Sequence, residues 1–261
     1  MTTCRICDEP LVLSIEGSDG EGADDGSCVP DDVEFRCRCH YHWQCIMDEA
    51  ASILSTLQCP TCHSDLIGGT GSQQRPGGSS SSSSTNNNNN NYNSEVLVRY
   101  TNEGGIQEGL DIMPSFKEEA YLQVHPEAAP ARAFHVMCAE GDIDGAFELL
   151  YHASEQVPDV GAMVRYQDPL SGMKSGLHLA VEHQHEGVVW LLLWLSSHVP
   201  LDAFPADARH AAESLGLGRL SIGPGEDIRA LQDDRGKTAA EVAAEVNGCW
   251  LSLVETGLLN P

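Results

Sequence analysis

Positive charge is what this 261-residue chain has least of: 14 Lys and Arg stand against 39 Asp and Glu, for a formal charge of -25. A surface that negative repels phosphate backbones, which disfavours general nucleic-acid binding. Anionic membrane surfaces are disfavoured for the same reason. A long apolar run is missing as well. The longest, residues 188–195, falls far short of the ~20 residues that a membrane span needs. The start, Met1-Thr2-Thr3-Cys4-Arg5, has no basic stretch followed by an apolar one, so a secretory signal is not expected. Together these absences predict a soluble protein of the cytoplasm or nucleus, with neither nucleic acid nor membrane among its partners.

The length suggests about two domains at roughly 150 residues each, and composition changes along the chain. Residues 1–67 are rich in cysteine and acid. Residues 68–94 are almost all Gly, Ser, Gln and Asn, with nearly nothing apolar to bury. Such a tract cannot offset its ordering entropy and reads as a disordered linker. As a coil it would span about 30 Å, enough for flanking domains to move independently. Residues 95–129 form a poorly defined connecting segment in which Glu95-Val96-Leu97-Val98-Arg99-Tyr100 is a candidate strand. From 130 to 261 the apolar spacing becomes helical, in short paired segments.

Eight of the ten cysteines fall within residues 4–62. In a reducing compartment that clustering points to metal rather than disulfides. They come in ordered pairs: Cys4-x-x-Cys7, Cys37-x-Cys39, His42-x-x-Cys45 and Cys59-x-x-Cys62. Short spacing lets a backbone turn aim both side chains at one ion, and structural zinc takes four thiolate or imidazole donors. Eight donors make two closed sites, hence two zinc ions. Cys28 is left over in an acidic stretch, residues 8–35, that holds ten acids and no Lys or Arg. With nothing basic beside it to activate the thiol, Cys28 reads as a spectator, and the stretch as a solvated insertion.

The pattern resembles the RING finger family, which runs Cys-x-x-Cys, a long loop, Cys-x-His-x-x-His/Cys-x-x-Cys, a second loop and Cys-x-x-Cys. Cys39 stands where most members have histidine, and His40, one place off, reads as a non-ligand. Tyr41-His42-x-x-Cys45-Ile46 is similar to the family's aromatic-His-x-x-Cys-Ile signature. PHD-like fingers, also cross-braced, usually place more residues between the Cys-x-Cys pair and the next His. The resemblance implies that Cys4, Cys7, His42 and Cys45 hold one zinc, and Cys37, Cys39, Cys59 and Cys62 the other. Interleaving of this kind makes metal binding and folding one event. It also implies a short central helix, and Ile46, Ala50, Ile53, Leu54 and Leu57 lie at helical spacing with Asp48 and Glu49 near the start.

Most members of that family are ubiquitin-protein ligases, which bind a ubiquitin-charged conjugating enzyme and present it to a substrate lysine. In them the zinc does no chemistry and catalysis is positioning, so no residue here is expected to be catalytic. Ile6 and Pro60 match the apolar positions that touch the conjugating enzyme. Two positions depart from the pattern: Glu49 stands where ligases often have Trp, and His63 where they often carry Arg or Lys toward ubiquitin.

The C-terminal region resembles ankyrin repeats. Ser175-Gly176-Leu177-His178 stands for the family's Thr-Pro-Leu-His, and His185-Glu186-Gly187-Val188-Val189-Trp190-Leu191-Leu192-Leu193 for a second helix. Degenerate units surround Phe134-His135 and Thr238-Ala239-Ala240. The spacings from Phe134 to Leu177 (43 residues) and from Leu177 to Ala240 (63) exceed the family's ~33, so insertions must intervene, notably within residues 197–230. His178 is expected to bond between repeat turns, with Glu182, His183 and His185 facing solvent. Trp190 and Trp194, one helical turn apart, read as core, and Cys138 and Cys249 as small packed groups. The expected fold is thus a small zinc-stabilised α+β RING domain, a disordered linker and an all-α ankyrin-like domain. The expected function is a ubiquitin ligase that recruits an unidentified protein substrate through its repeats; the alternative is a non-enzymatic adapter.

Overall fold

Short strands and short helices surround the cysteine pairs, and the reason each is short lies in the turns between them. The computed structural model describes residues 2–14, 28–67, 95–156, 159–214, 216, 218–246 and 250–261. The tract at 68–94, Cys249 and much of the acidic insertion lie outside the described residues. The chain divides into two units, Met1–Val124 and His125–Pro261.

In the first unit, β1 (Val12–Ser14) pairs antiparallel with β2 (Cys28–Pro30). β3 (Asp32–Glu34) and β4 (His40–Tyr41) form a hairpin whose turn carries Cys37 and Cys39. α1 (Trp43–Asp48) and α2 (Ala50–Thr56) follow, then β5 (Leu97–Asn102), β6 (Gly105–Asp111) and α3 (Met113–Val124). The larger sheet has the order β4-β3-β5-β6, antiparallel throughout. Residues 95–124 therefore belong with the cysteine-rich segment, and both ends of the 68–94 tract lie in this one unit.

The physical reason is core size. A module of about sixty residues buries too little apolar surface to be secure alone, and α1 and α2 are too short to stand without packing. Val96, Val98, Ile112, Met113 and Phe116 supply the missing surface against Phe35, Tyr41, Ile46, Met47 and Ile53. The β5–β6 register shifts between Val98 and Arg99. Gly109 (φ 70°) is the extra residue of that bulge, a left-handed position that suits glycine.

The single amphipathic helix expected over 46–57 is two helices that break at Glu49, whose φ and ψ are -90° and 4°. Asp48 thus closes α1, and Asp48 and Glu49 precede only α2. Ile46, Ala50 and Ile53 are buried as their spacing predicts, while Leu54 and Leu57 are half-buried. α2 stops where Leu57 turns left-handed (φ 56°).

The second unit is helical among its described residues, apart from two isolated bridges, Asp168 with Lys174 and Gln232 with Thr238. Its main helices are α4 (Ala129–Glu140), α5 (Ile143–Gln156), α6 (Val160–Val164), α7 (Gly176–Glu182), α8 (Glu186–Ser196), α9 (Ala206–Ser214), α10 (Ala239–Val246) and α11 (Leu251–Glu255). α4 packs on α5 and α7, α7 on α8 and α10, α8 on α9, and α10 on α11. α8 is buried on nearly every side, from Val188 to Leu195, as a helix apolar all round must be. Gly141 ends α4 left-handed at φ 77°, and a Cβ there would collide with the His185 imidazole.

The turns entering α7 and α10 echo one another. Ser175 and His178 form a capping box on α7, and Thr238 and Glu241 exchange the equivalent bonds on α10. Lys174 reaches Glu182 at 2.5 Å, and Lys237 reaches Glu245 at 2.6 Å. The pairs are separated by the same offset as Leu177 and Ala240. Between α8 and α10, Arg219 caps the end of α8, donating to the carbonyls of Trp194 (3.1 Å), Val199 (2.9 Å) and Ser197. No helix among the described residues is long and apolar enough to cross a membrane.

Candidate metal centre

Two knuckles with the same backbone present the outer ligand pairs. In the first, Asp8 N–H donates to the Cys4 carbonyl (3.0 Å) and Cys4 N–H to Glu9 (2.9 Å). In the second, His63 N–H donates to Cys59 (2.9 Å) and Cys59 N–H to Ser64 (2.9 Å). Each closes with a bridge, Thr3 to Pro10 and Gln58 to Asp65. The residue after the second cysteine is left-handed in both, Asp8 at φ 62° and His63 at φ 58°.

The inner pairs come from different elements. Cys37 and Cys39 sit two apart in the β3–β4 turn, on either side of Arg38, whose φ of 64° is left-handed. Phe35 N–H to the Cys39 carbonyl, 3.0 Å, closes that turn. His42 and Cys45 lie three apart at the start of α1, again on one face. The Trp43 N–H there donates to the buried Asp31 carboxylate at 3.1 Å, and the Tyr100 hydroxyl donates to the same group at 3.2 Å.

The eight side chains converge in two groups, Cys4, Cys7, His42 and Cys45 in one and Cys37, Cys39, Cys59 and Cys62 in the other. Within each group all four donor atoms lie within 4.8 Å of one another. A tetrahedral zinc with bonds of ~2.3 Å to sulfur and ~2.0–2.1 Å to nitrogen separates its donors by about 3.5–3.8 Å. His42 Nδ1 lies 3.3 Å from Cys7 Sγ and 3.8 Å from Cys45 Sγ, which brackets that spacing. His42 Nε2–H donates to the Pro10 carbonyl at 2.8 Å, which fixes the ring and leaves Nδ1 free to ligate. Each group could hold a metal ion. Their donors, three thiolates with one imidazole in the first group and four thiolates in the second, with no carboxylate in either, are compatible with zinc.

The environment of the sulfurs is uneven. Burial pushes the Cys4 thiol up, but the backbone N–H groups of Cys7, His42 and Ile6 outweigh it and bring the thiol down to about 7. Burial beside Cys7 and Cys4 pushes Cys45 up to about 12. In the second group the Ser64 hydroxyl and N–H hold Cys62 down at about 6, while burial drives Cys37 and Cys39 upward. Crowded thiolates repel one another, and a divalent cation reverses that repulsion. The Tyr41 hydroxyl adds support, 3.0 Å from Cys59 Sγ and 2.8 Å from Thr61 Oγ1.

The remaining expected residues fall outside the two groups. His40 pairs with Asp32 at 2.8 Å and is not part of either. Cys28 is exposed on β2. Ile6 is exposed in the first knuckle, Pro60 half-buried in the second and His63 exposed beside it. In the helical unit His178 is buried and its Nε2–H donates to the Lys237 carbonyl, 3.0 Å, joining the first turn of α7 to the turn before α10. Glu182 and His183 face solvent. His185 does not: its Nε2–H donates to the Ala139 carbonyl at 2.9 Å, because the tight end of α4 at Gly141 brings that carbonyl against it. Cys138 is fully buried.

Asp31 has no local mark in the sequence, being one acid among ten in its stretch. The Pro10 carbonyl is a backbone group and leaves no sequence signal at all. No family model, no curated protein and no solved structure matches the chain.

Proposed function

We propose that the protein is a RING-type ubiquitin-protein ligase, which docks a conjugating enzyme on its zinc-stabilised N-terminal unit and captures a protein substrate on an ankyrin-like helical stack. The observation that carries this reading is the interleaving of the two ligand groups: each takes one pair from a knuckle and one from the segment between the knuckles. Ile6 supports it, a large apolar side chain left 40% exposed at the knuckle where a partner would cover it. Pro60 and His63 lie in the corresponding stretch of the other knuckle. The ankyrin-like part is supported by the paired turns before α7 and α10 and by the His178 bond that joins α7 to the second of them.

Catalysis on this reading is positioning. The ligase holds the ubiquitin thioester in a reactive pose and raises the local concentration of the acceptor lysine, while the metal only shapes the surface. Purified protein is mixed with activating enzyme, a panel of conjugating enzymes and ubiquitin. Self-modification that Ile6→Ala reduces strongly is the expected result; no modification, or an unaffected variant, rejects the reading.

Glu49 and His63 favour a second reading, a non-enzymatic adapter. Glu49 occupies the break between α1 and α2, and neither residue offers the indole or permanent cation that ligases often use. The adapter gives a stable partner in pull-downs and no ubiquitin chains.

A further inference from the structure

An apolar cleft of about 380 Å³ opens between α8 and α9, within the roughly 300–1,000 Å³ range of small-ligand sites. Trp190, Trp194, Phe204 and Leu191 line it together with the acidic residues Glu186 and Asp207. The rings meet as tilted or edge-to-face neighbours, with Phe204 at 5.7 Å from Trp190 and 5.4 Å from Trp194. The Trp190 indole N–H donates to Glu186 at 3.2 Å and so keeps that carboxylate beside the ring. No Lys, Arg or His is among the described residues that line the cleft.

Aromatic faces attract cations, most strongly when water is excluded. This aromatic wall already borders one: the Arg219 guanidinium lies 5.7 Å from the Phe204 centroid, with its own donors committed to the carbonyls of Trp194, Ser197 and Val199. The cleft faces a different occupant. We infer that the α8–α9 cleft binds a methylated lysine side chain carried on a basic segment of a partner protein. An unmodified ammonium is compact and strongly hydrated and would lose that water against indole and alanine walls. Methyl groups remove the penalty, keep the charge, and add surface that the rings and Leu191 can cover. Glu186 and Asp207 balance the charge.

A peptide fits better than a free amine for two reasons. The mouth is open, with Glu186, Asp207 and Ala211 exposed, which leaves a path for the backbone that carries the side chain. A chain of formal charge -25 also steers a basic segment toward it. This inference goes beyond the ligase reading and stands whether or not the protein modifies anything.

The test is calorimetric titration of the full-length, zinc-loaded protein with one basic peptide in three forms: trimethyllysine, lysine, and the neutral tert-butyl isostere. Tetramethylammonium chloride is a fourth ligand. The trimethyllysine peptide is expected to bind about tenfold or more tighter than either other peptide and tighter than the free cation. Ala208→Leu, which fills the cleft, is expected to abolish binding, and the milder Asp207→Asn to weaken it several-fold with the melting temperature unchanged. Equal binding of the neutral isostere makes the cleft a plain apolar groove and overturns the proposal. So does equal binding of unmodified lysine, of tetramethylammonium alone, no binding, or indifference to Asp207→Asn.

Discussion

His42 divides its ring between two neighbours: Nε2–H donates to the Pro10 carbonyl at 2.8 Å, and Nδ1 faces Cys7 Sγ at 3.3 Å. One hydrogen bond thereby selects which nitrogen is left free for a metal. Pro10 follows the first knuckle, so the partner that orients the ring belongs to the same segment as Cys4 and Cys7.

Two zinc ions per chain are expected by elemental analysis, and their removal should unfold one unit only. With a strong chelator, hydrogen exchange at the amides of Val33, Val98 and Phe116 should lose its protection, since metal binding and folding are coupled. Amides in α7 and α8 should keep theirs. Cys37→Ser with Cys59→Ser should mimic the chelator. An N-terminal unit that stays folded and metal-free contradicts the metal reading.

Phe116 should matter to the metal-binding unit although it lies far along the chain from the last ligand. It is fully buried against the core that also holds Ile46 and Ile53. Phe116→Ala should cost about 3–5 kcal/mol of that unit's stability, seen as earlier zinc release during chelator or denaturant titration. A chain truncated after residue 67 should hold zinc more weakly for the same reason.

Acid should weaken the helical unit before it protonates its carboxylates. Burial pulls His135 down to about 4, and His178 is lowered by the same cause. In the unfolded chain histidine titrates near ~6.5. Between those values the unfolded chain binds a proton that the folded unit refuses, so stability is complete above pH ~6.5 and falls as pH drops toward ~4. The His135 share is on the order of 3 kcal/mol. Denaturant midpoints followed through α4 exchange should show the slope, and His135→Gln should flatten it in part, leaving the contribution of His178.

The left-handed residue in the second knuckle offers a stability test. His63 at φ 58° is strained relative to glycine by roughly 1–2 kcal/mol. His63→Gly should therefore raise the denaturant midpoint of the first unit, and His63→Val should lower it. If ubiquitin transfer falls in His63→Gly while stability rises, the imidazole contributes to the function and not to the fold.

The metal groups were legible because their signal is local. Two or three residues between ligands specify a turn, and the order of the pairs carries the rest. The β3–β5 pairing was not legible, because Glu34 and Arg99 meet across 65 positions with no periodicity to announce it. The composition changes at residue 68, but the sheet runs across that boundary through the β3–β5 pairing. Trp194 reads correctly as core, but Trp190 is only partly buried and borders a cleft. An i, i+4 pair of tryptophans does not say whether the neighbouring helix closes over both, and α9, with Ala208, Ala211 and Ala212 along it, leaves a hollow.

The pairing of β5 with β3 changes what a cut in the Ser/Asn tract would do. Ile67 and Glu95 flank the tract on the same unit, so a broken backbone there yields two pieces that still share a sheet and an apolar core. Doubling the tract's length would cost only about 0.6 kcal/mol of ring-closing entropy. Nicked protein should therefore run as one species on a sizing column and as two on a denaturing gel.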